Sequence, residues 1–349
     1  MTIMKPARRV RRGPPVLRTF FVCSAAAIGL VLLPGARDAA GQTSAGSWET
    51  LPEAEQPQQR HESGYVKVGD RLYLLGGRGE RAVQSFDPVG GGWTNGAVPP
   101  IEMHHFQAVA HGGKIYVIGA LTGRYPTEPP IPHIYIYDPS LDSWTRGPEI
   151  PADRRRGAAG AIVHDGRIYL VAGIQNGHTD GHVSWFDSFD PETGEWARLP
   201  DAPRARDHFQ IAVVDDRLYA IGGRRSSAGT GQTFDLTVAE VDVYDFATGG
   251  WTTLPAAANL PTLRAGTTSV VVDGEILVIG GESGGRDDAH AEVEAFDPAT
   301  STWRSLAPLN QGRHATQGVV HGGKIYIAAG SRTRGATEIN SQEVYTPGR

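Results

Sequence analysis

Arginine and histidine recur at one fixed position along the chain, and both side chains can do chemistry. The position lies eleven residues before the residue that opens an apolar segment, and five of its six occupants are arginine: Arg60, Arg156, Arg206, Arg264 and Arg313, with Met103 as the sixth. The next two positions add His61, His104, His105, Asp207, His208 and His314. Guanidinium groups suit carboxylate, sulfate or phosphate, and imidazoles bind metals or transfer protons. The set predicts a site for an anionic ligand.

Two further kinds of segment carry candidate binding residues. The glycine-rich residues 175–182 contain Asn176, His178, Asp180 and His182, and other loops carry Arg124, Tyr125 and Arg224. Two histidines four residues apart bind metals when a helix fixes their geometry, but a glycine-rich loop fixes none. The loop residues are therefore predicted as ligand contacts, with neither a metal nor a cofactor. The alternative is that they belong to solvated loops.

Tryptophan marks the repeat that must position these side chains. Six tryptophans follow one another at intervals of 45 to 55 residues: Trp48, Trp93, Trp144, Trp196, Trp251 and Trp303. Five of them stand six residues after an aspartate that follows an aromatic residue, as in Phe86-Asp87-Pro88. Each unit also contains an apolar segment ending in small residues, and dipeptides such as Asp165-Gly166 that form tight hairpin turns. The pattern predicts six units of four strands each.

The paired small residues, the aromatic-Asp-Pro and the tryptophan six positions later resemble the kelch repeat, from Ser47 to Pro347. The resemblance implies an all-β, six-bladed β-propeller. The sixth unit stops at residues 344–347 before any tryptophan strand, while the chain after its leader opens with one, at residues 47–52. We therefore expect the N-terminal strand to complete the last blade and close the ring, which removes an exposed edge.

Strand parity assigns the candidate residues to one face of the propeller. Loops between the second and third strands of a blade share a face with the connections between blades, and long loops on a rigid scaffold commonly carry function. The arginines and histidines would then surround one mouth of the central channel. An alternative stays open, because many kelch blades have arginine at this position, where it hydrogen-bonds carbonyls of the neighbouring blade. The histidines are less regular and are the better functional candidates.

The N-terminus predicts export. Arginine-rich residues precede a 14-residue apolar run at residues 20–33, and small residues 39–41 follow, which is the layout of a secretory signal peptide. A membrane anchor is disfavoured because a span needs about 20 apolar residues. We expect a leader over residues 1–41 and a propeller over residues 42–349, located in the periplasm or outside the cell. The lone Cys23 would leave with the leader.

Composition limits the function classes. The net charge is −5, and removal of the basic leader would leave about −11, which argues against nucleic-acid binding. A chain without cysteine after export cannot form the Cys–Tyr crosslink of a copper radical oxidase. We expect a monomeric binding module for an acidic glycan, peptide or small anionic molecule. The alternative is a carbohydrate-active enzyme at the same mouth, a uronate lyase or a sialic-acid-type epimerase, with no catalytic residue assigned.

Overall fold

The computed structural model describes residues 45–348, which form six four-stranded antiparallel sheets. In five sheets the neighbouring strands follow one another in chain order, and in the sixth the N-terminal strand pairs with the last strand of the chain. The innermost strands contact each other in a closed cycle around a channel. The prediction of an all-β, six-bladed propeller is confirmed. None of the helices within residues 45–348 has the length and apolar character that a membrane span requires. The predicted leader lies outside the described residues.

The strand bounds follow the sequence repeat, and the four strands of each blade run in order from the channel outward. Blades 1 to 3 consist of Ser63–Val68, Arg71–Gly76, Gln84–Phe86 and Trp93–Asn95; Val109–His111, Lys114–Val117, His133–Asp138 and Ser143–Glu149; Gly160–His164, Arg167–Val171, Phe186–Phe189 and Trp196–Leu199. Blades 4 to 6 consist of Ile211–Val214, Arg217–Ala220, Asp242–Asp245 and Gly250–Thr253; Thr268–Val272, Glu275–Ile279, Val293–Asp297 and Thr302–Ser305; Gly318–His321, Lys324–Ala328, Gln342–Thr346 and Ser47–Thr50.

Short elements decorate the loops. A separate hairpin of Ile174–Asn176 and Asp180–His182 rises between the second and third strands of blade 3. Single 3-10 turns cover Glu53–Glu55, Ala152–Arg154, Ala228–Thr230 and Ala256–Ala258.

The N-terminal strand closes the ring as predicted. Ser47–Thr50 pairs antiparallel with Gln342–Thr346, and Trp48 lies opposite Tyr345. The Trp48 indole N–H donates to the carbonyl of Ala307 at 2.9 Å, and the Tyr345 hydroxyl donates to the carbonyl of Ala45 at 2.7 Å. These bonds attach the first strand both to the last blade and to the connection that follows blade 5.

Three buried glutamines bridge blades across the channel. The innermost strands are sheet edges, so one row of their backbone N–H and C=O groups faces the channel without a strand partner. Gln107 accepts hydrogen bonds from the N–H groups of Ala161 at 2.9 Å and Ile211 at 3.1 Å, and donates to the Ile211 carbonyl at 3.1 Å. Gln210 and Gln317 occupy the equivalent places in blades 4 and 6. Gln317 bonds to the backbone of the next two blades in the same way. Gln210 accepts from the Ser269 N–H and the Thr268 hydroxyl and donates to the Thr316 carbonyl. The side chains thus complete the backbone hydrogen bonding that the edges lack.

Candidate functional site

The five repeated arginines lie inside the blades. Each guanidinium is at most 1% exposed and donates to backbone carbonyls of its own blade. Arg206, for example, donates to the carbonyls of Ala220 at 3.1 Å and Gly222 at 2.9 Å and pairs with the Asp242 carboxylate at 2.5 Å. This corrects two expectations: the arginines do not present open donors at the mouth, and their carbonyl partners are not in the neighbouring blade. The set is Arg60, Arg156, Arg206, Arg264 and Arg313.

In each blade, the residue two positions after the repeated arginine position lies at the rim of the channel. All six have left-handed backbone conformations, with φ between 51° and 64°: Glu62, His105, Ala158, His208, Gly266 and Ala315. In every blade a backbone N–H donates to the carbonyl of the rim residue in the preceding blade, and these six hydrogen bonds close a ring around the channel. The donor is Ser63 in blade 1 and the rim residue itself in the other five blades. The backbone thereby fixes where the rim side chains start.

Three histidines from different blades meet at this rim. Their possible metal-ligating atoms all lie within 4.8 Å of one another, and His105, His178 and His208 are all buried. The Nε2 atoms of His178 and His208 are 3.0 Å apart, and the His105 ring packs edge-on against both other rings. His178 comes from the hairpin loop of blade 3, while the other two are rim residues of blades 2 and 4. Such a cluster can hold a metal ion or share a proton.

Carboxylates hold the outer nitrogens of two of these histidines. His178 Nδ1 is 2.9 Å from Glu128 Oε2, and His208 Nδ1 is 2.5 Å from Asp207 Oδ1. Burial alone would raise the pKa of Asp207, but hydrogen bonds from His208 and Ser226 and the nearby Arg224 charge lower it to about 2. Burial likewise opposes ionisation of Glu128, yet the contacts with His178 and Arg78 hold the pKa of that carboxyl well below its usual range. Both groups are therefore carboxylates at neutral pH.

The third histidine is held differently. His105 Nδ1 lies 2.6 Å from His104 Nδ1, and His105 Nε2 lies 3.1 Å from Glu62 Oε1. Burial lowers the pKa of the His105 imidazole well below its usual range and the pKa of His104 to about 4. Burial also lowers the pKa of His208. The rim histidines are neutral at physiological pH, which leaves ring lone pairs available for a ligand.

A pocket of about 340 Å³ lies at the mouth beside the cluster. Its wall combines the aromatic rings of Tyr125 and Phe234 with the polar side chains of His61, Arg78, Glu282 and rim residue Glu62, and His178 also lines it. Tyr125 is 54% exposed and its ring lies 5.1 Å from that of His178. The pocket falls within the size range of small-molecule sites.

The remaining predicted residues are divided between the pocket margin and the surrounding structure. His61 Nδ1 contacts Glu338 Oε1 at 2.8 Å, His314 Nε2 contacts the Thr333 carbonyl at 2.9 Å, and His182 Nε2 contacts the Ser226 carbonyl at 2.6 Å. Buried Arg224 pairs with Glu282 at 2.5 Å. Asn176 and Asp180 bond to each other in the blade 3 hairpin, and Arg124 is exposed. His178 and His182, close in sequence, therefore do not share a site.

Glu62, Glu128, Phe234 and Glu282 were absent from the sequence prediction, although Asp207 and Tyr125 were included. Glu62 occupies the same repeat position as His105 and His208, so the repeat itself could have identified it. Glu128 and Phe234 lie within long loops of the mouth face and have no local pattern that distinguishes them from solvated residues. Glu282 is the first residue of such a loop in blade 5, equivalent to Arg224 in blade 4.

Comparison with known proteins agrees with this architecture. Residues 40–290 match the family described as Attractin/LZTR1 beta-propeller. The chain is 31% identical over 332 residues to Kelch-like protein terF of Aspergillus terreus, which covers 86% of this chain and 68% of that protein. It is 24% identical over 282 residues to Kelch-like protein 23 of Homo sapiens, covering 79% of this chain. That alignment covers 46% of the human protein, so this chain spans about half the length of that relative.

A solved structure shares the fold. The chain described as "Structure of YjhT" superposes with a TM-score of 0.69 at 17% identity, covering 85% of this chain and 97% of that one. At this identity the likeness concerns the fold alone. The family match, the relative in Aspergillus terreus and the repeated arginine, aspartate and tryptophan positions agree with one another. The chain belongs to the kelch-repeat β-propeller family.

Proposed function

We propose that this propeller is a binding module whose ligand is a small, polar, hydroxyl-rich molecule held in the mouth pocket. The observation that supports this proposal is the combination of two aromatic rings, Tyr125 and Phe234, with several polar side chains around about 340 Å³. Aromatic faces stack on the apolar faces of sugar rings, while polar groups bond to the hydroxyls. The long loops of the mouth face supply both kinds of group on a rigid frame.

The charges around the pocket narrow the ligand class. Arg78 pairs with Glu128 at 2.6 Å and Arg224 pairs with Glu282 at 2.5 Å, so both cations already have carboxylate partners. Glu62 and Asp207 add further negative charge, and the repeated arginines are buried in their blades. The wall is therefore not cationic. An acidic glycan retains one favourable contact, to Arg78, whose side chain is 25% exposed.

Ligand binding is tested by thermal shift of the full chain with neutral sugars, uronates, sialic acids and acidic oligosaccharides. We expect saturable stabilisation by one of these classes. Tyr125→Ala should weaken that binding roughly tenfold, the equivalent of about 1.4 kcal/mol for the lost stacking contact. The matched control is Leu141→Ala, which removes a 72% exposed apolar side chain from a turn on the opposite face. Equal losses in both variants, or no saturable shift with any class, would contradict the proposal.

An enzyme acting on an acidic sugar is the second candidate. It is favoured by one observation, the imidazole of His178 at the pocket wall with Glu128 behind it at 2.9 Å, an arrangement used in proton transfer. Nuclear magnetic resonance of the same sugars incubated with the protein would detect new unsaturation or a change at the anomeric carbon. Product formation that disappears in His178→Ala supports the enzyme, and binding without any product supports the binding module.

We also propose that the chain is exported, on the basis of its basic N-terminus, apolar run and small residues up to position 41. Cell fractionation followed by N-terminal sequencing tests this. The expected product lies outside the cytoplasm and begins at Gln42. A cytoplasmic product that keeps its original N-terminus would overturn the proposal.

A further inference from the structure

We propose that His105, His178 and His208 bind one divalent transition-metal ion at the rim of the channel. The cluster brings three imidazoles from separate blades within 4.8 Å of one another. Imidazole is a preferred ligand of zinc and of the neighbouring first-row ions. This inference goes beyond the binding of an organic ligand and does not depend on it, since the metal content can be measured in the absence of any ligand.

The hydrogen bonds fix which nitrogens are free. Glu128 and Asp207 are carboxylates that only accept, so His178 and His208 must both donate from Nδ1. Each ring therefore turns its Nε2 toward the other. The two Nε2 atoms are 3.0 Å apart, close enough for both to bind one ion. A cation between them would accept a lone pair from each ring.

His105 offers the third lone pair. Its Nδ1 is in contact with His104, whereas its buried Nε2 has no hydrogen-bond partner among the described residues. Glu62 Oε1 lies 3.1 Å from this nitrogen, outside hydrogen-bond geometry. The Nε2 atom of His105 is therefore a buried polar atom that requires a partner, and it lies beside the other two imidazoles.

The geometry is compatible with a tetrahedral ion. Zinc–nitrogen distances of about 2.0–2.1 Å place two nitrogens of a tetrahedral site about 3.3 Å apart. The observed 3.0 Å between His178 and His208 differs from this by a few tenths of an ångström, and the ligand atom of His105, within 4.8 Å of the other two, would move closer on binding. Metal-bound histidines commonly donate their other N–H to a carboxylate, as His178 does to Glu128 and His208 does to Asp207.

Charge also favours a cation. The carboxylates of Glu62, Glu128, Asp207 and Glu282 surround the cluster and its margin, with side chains that are at most 10% exposed. Arg78 and Arg224 offset two of these charges. A divalent ion would neutralise the two carboxylate charges that remain. Because Glu62 and His178 both line the mouth pocket, the fourth position of the ion would face it and take water, a hydroxyl or a carboxylate.

The test is metal titration of the purified full chain after treatment with a chelator. Zn²⁺ is followed by elemental analysis after gel filtration, and Co²⁺ by its visible absorption, which is intense in tetrahedral sites. We expect one ion per chain. His178→Ala, His105→Asn and His208→Asn should each weaken binding roughly 100-fold or more, and Glu128→Gln should weaken it roughly 10–100-fold. Asparagine is chosen at the two rim positions because it tolerates the left-handed backbone found there.

The matched control is His111→Ala. This histidine ends the innermost strand of blade 2, away from the rim, and its Nε2 lies 3.8 Å from Glu192 Oε1, so its loss should leave the affinity unchanged. Melting of each variant in chelator separates metal loss from misfolding, and the two asparagine variants keep the test valid if His178→Ala does not fold. Binding of less than one ion per ten chains by the parent protein overturns the proposal. Binding that persists in all three histidine variants overturns it equally.

Discussion

Replacing Gln107 by methionine tests whether the glutamine bridges hold the blades together. Gln107→Met keeps a side chain of similar length but removes three hydrogen bonds, of 2.9, 3.1 and 3.1 Å, to the backbone of blades 3 and 4. Two N–H groups and one carbonyl then lose their partners. A buried polar group without a partner costs about 1–3 kcal/mol, so the full loss would be about 3–9 kcal/mol.

Water reduces this loss. Gln107, Ala161 and Ile211 line an open pocket of about 290 Å³ at the channel, through which water can reach the freed groups. We therefore expect the low end, a loss of about 3 kcal/mol in the free energy of unfolding. At roughly 2 °C per kcal/mol for a large domain, the melting temperature should fall by about 6 °C.

Calorimetry, with far-ultraviolet circular dichroism to confirm the native strand content, measures this effect. The matched control is Gln232→Met, which changes the same side chain at an exposed position and should alter the free energy by no more than about 0.5 kcal/mol. Gln317→Met should reproduce the loss, because Gln317 makes the equivalent contacts to the backbone of Tyr65 and Ala108. If Gln107→Met melts within 1 °C of Gln232→Met, the channel edges do not depend on these side chains and the reasoning is refuted.

Three other predictions concern the blades. Deletion of residues 42–52 removes Trp48, whose loss alone costs about 3–5 kcal/mol, and opens an edge of blade 6. Calorimetry should therefore show a melting temperature at least about 6 °C lower, and an unchanged melting temperature would contradict ring closure. Arg206→Met leaves the buried Asp242 carboxylate short of one partner and should cost about 3–5 kcal/mol in urea unfolding, whereas Arg225→Met at an exposed position should cost little. Turn aspartates have pKa values below the ordinary 3.8 because they accept backbone or side-chain hydrogen bonds, so their stabilising effect is present above pH 4 and is lost as the pH falls through the lower folded values. Melting temperatures from pH 5 to pH 2 should therefore fall less steeply when these aspartates are replaced by asparagine, and identical slopes would exclude this contribution; the residues are Asp87, Asp138, Asp190, Asp245 and Asp297.

The fold could be predicted from the sequence because its determinants are local and repeated. Each of the six repeated tryptophans lies opposite the aromatic residue of the neighbouring strand, as Trp93 lies opposite Phe86, and the intervening Asp87 caps the turn. Such contacts fall within one unit of the repeat and recur in every blade. Ring closure was predictable for the same reason, since an incomplete sixth unit and an orphan Trp48 strand complement each other.

The candidate site could be predicted only in part, because its contacts join different blades. His105, His178 and His208 are separated by 73 and 30 residues and are brought together by the ring geometry. The prediction included all three but grouped His178 with its sequence neighbour His182. The residue type also did not reveal which way a side chain points. The Arg206 side chain turns into its blade, whereas His208, two positions later, has a left-handed backbone and faces the channel rim.

Because backbone atoms form the hydrogen-bonded ring at the rim, the side chains that line the mouth can change without opening that ring. Its six hydrogen bonds use only main-chain atoms, so glutamate, histidine, alanine and glycine all occupy equivalent places in this chain. Substitution at a rim position thus alters the chemistry of the mouth while the frame remains closed. In a related propeller the rim positions lie two residues after the repeated arginine. In this chain the six rim residues are, in blade order, Glu, His, Ala, His, Gly and Ala. We expect relatives that differ at these six positions to accept different ligands.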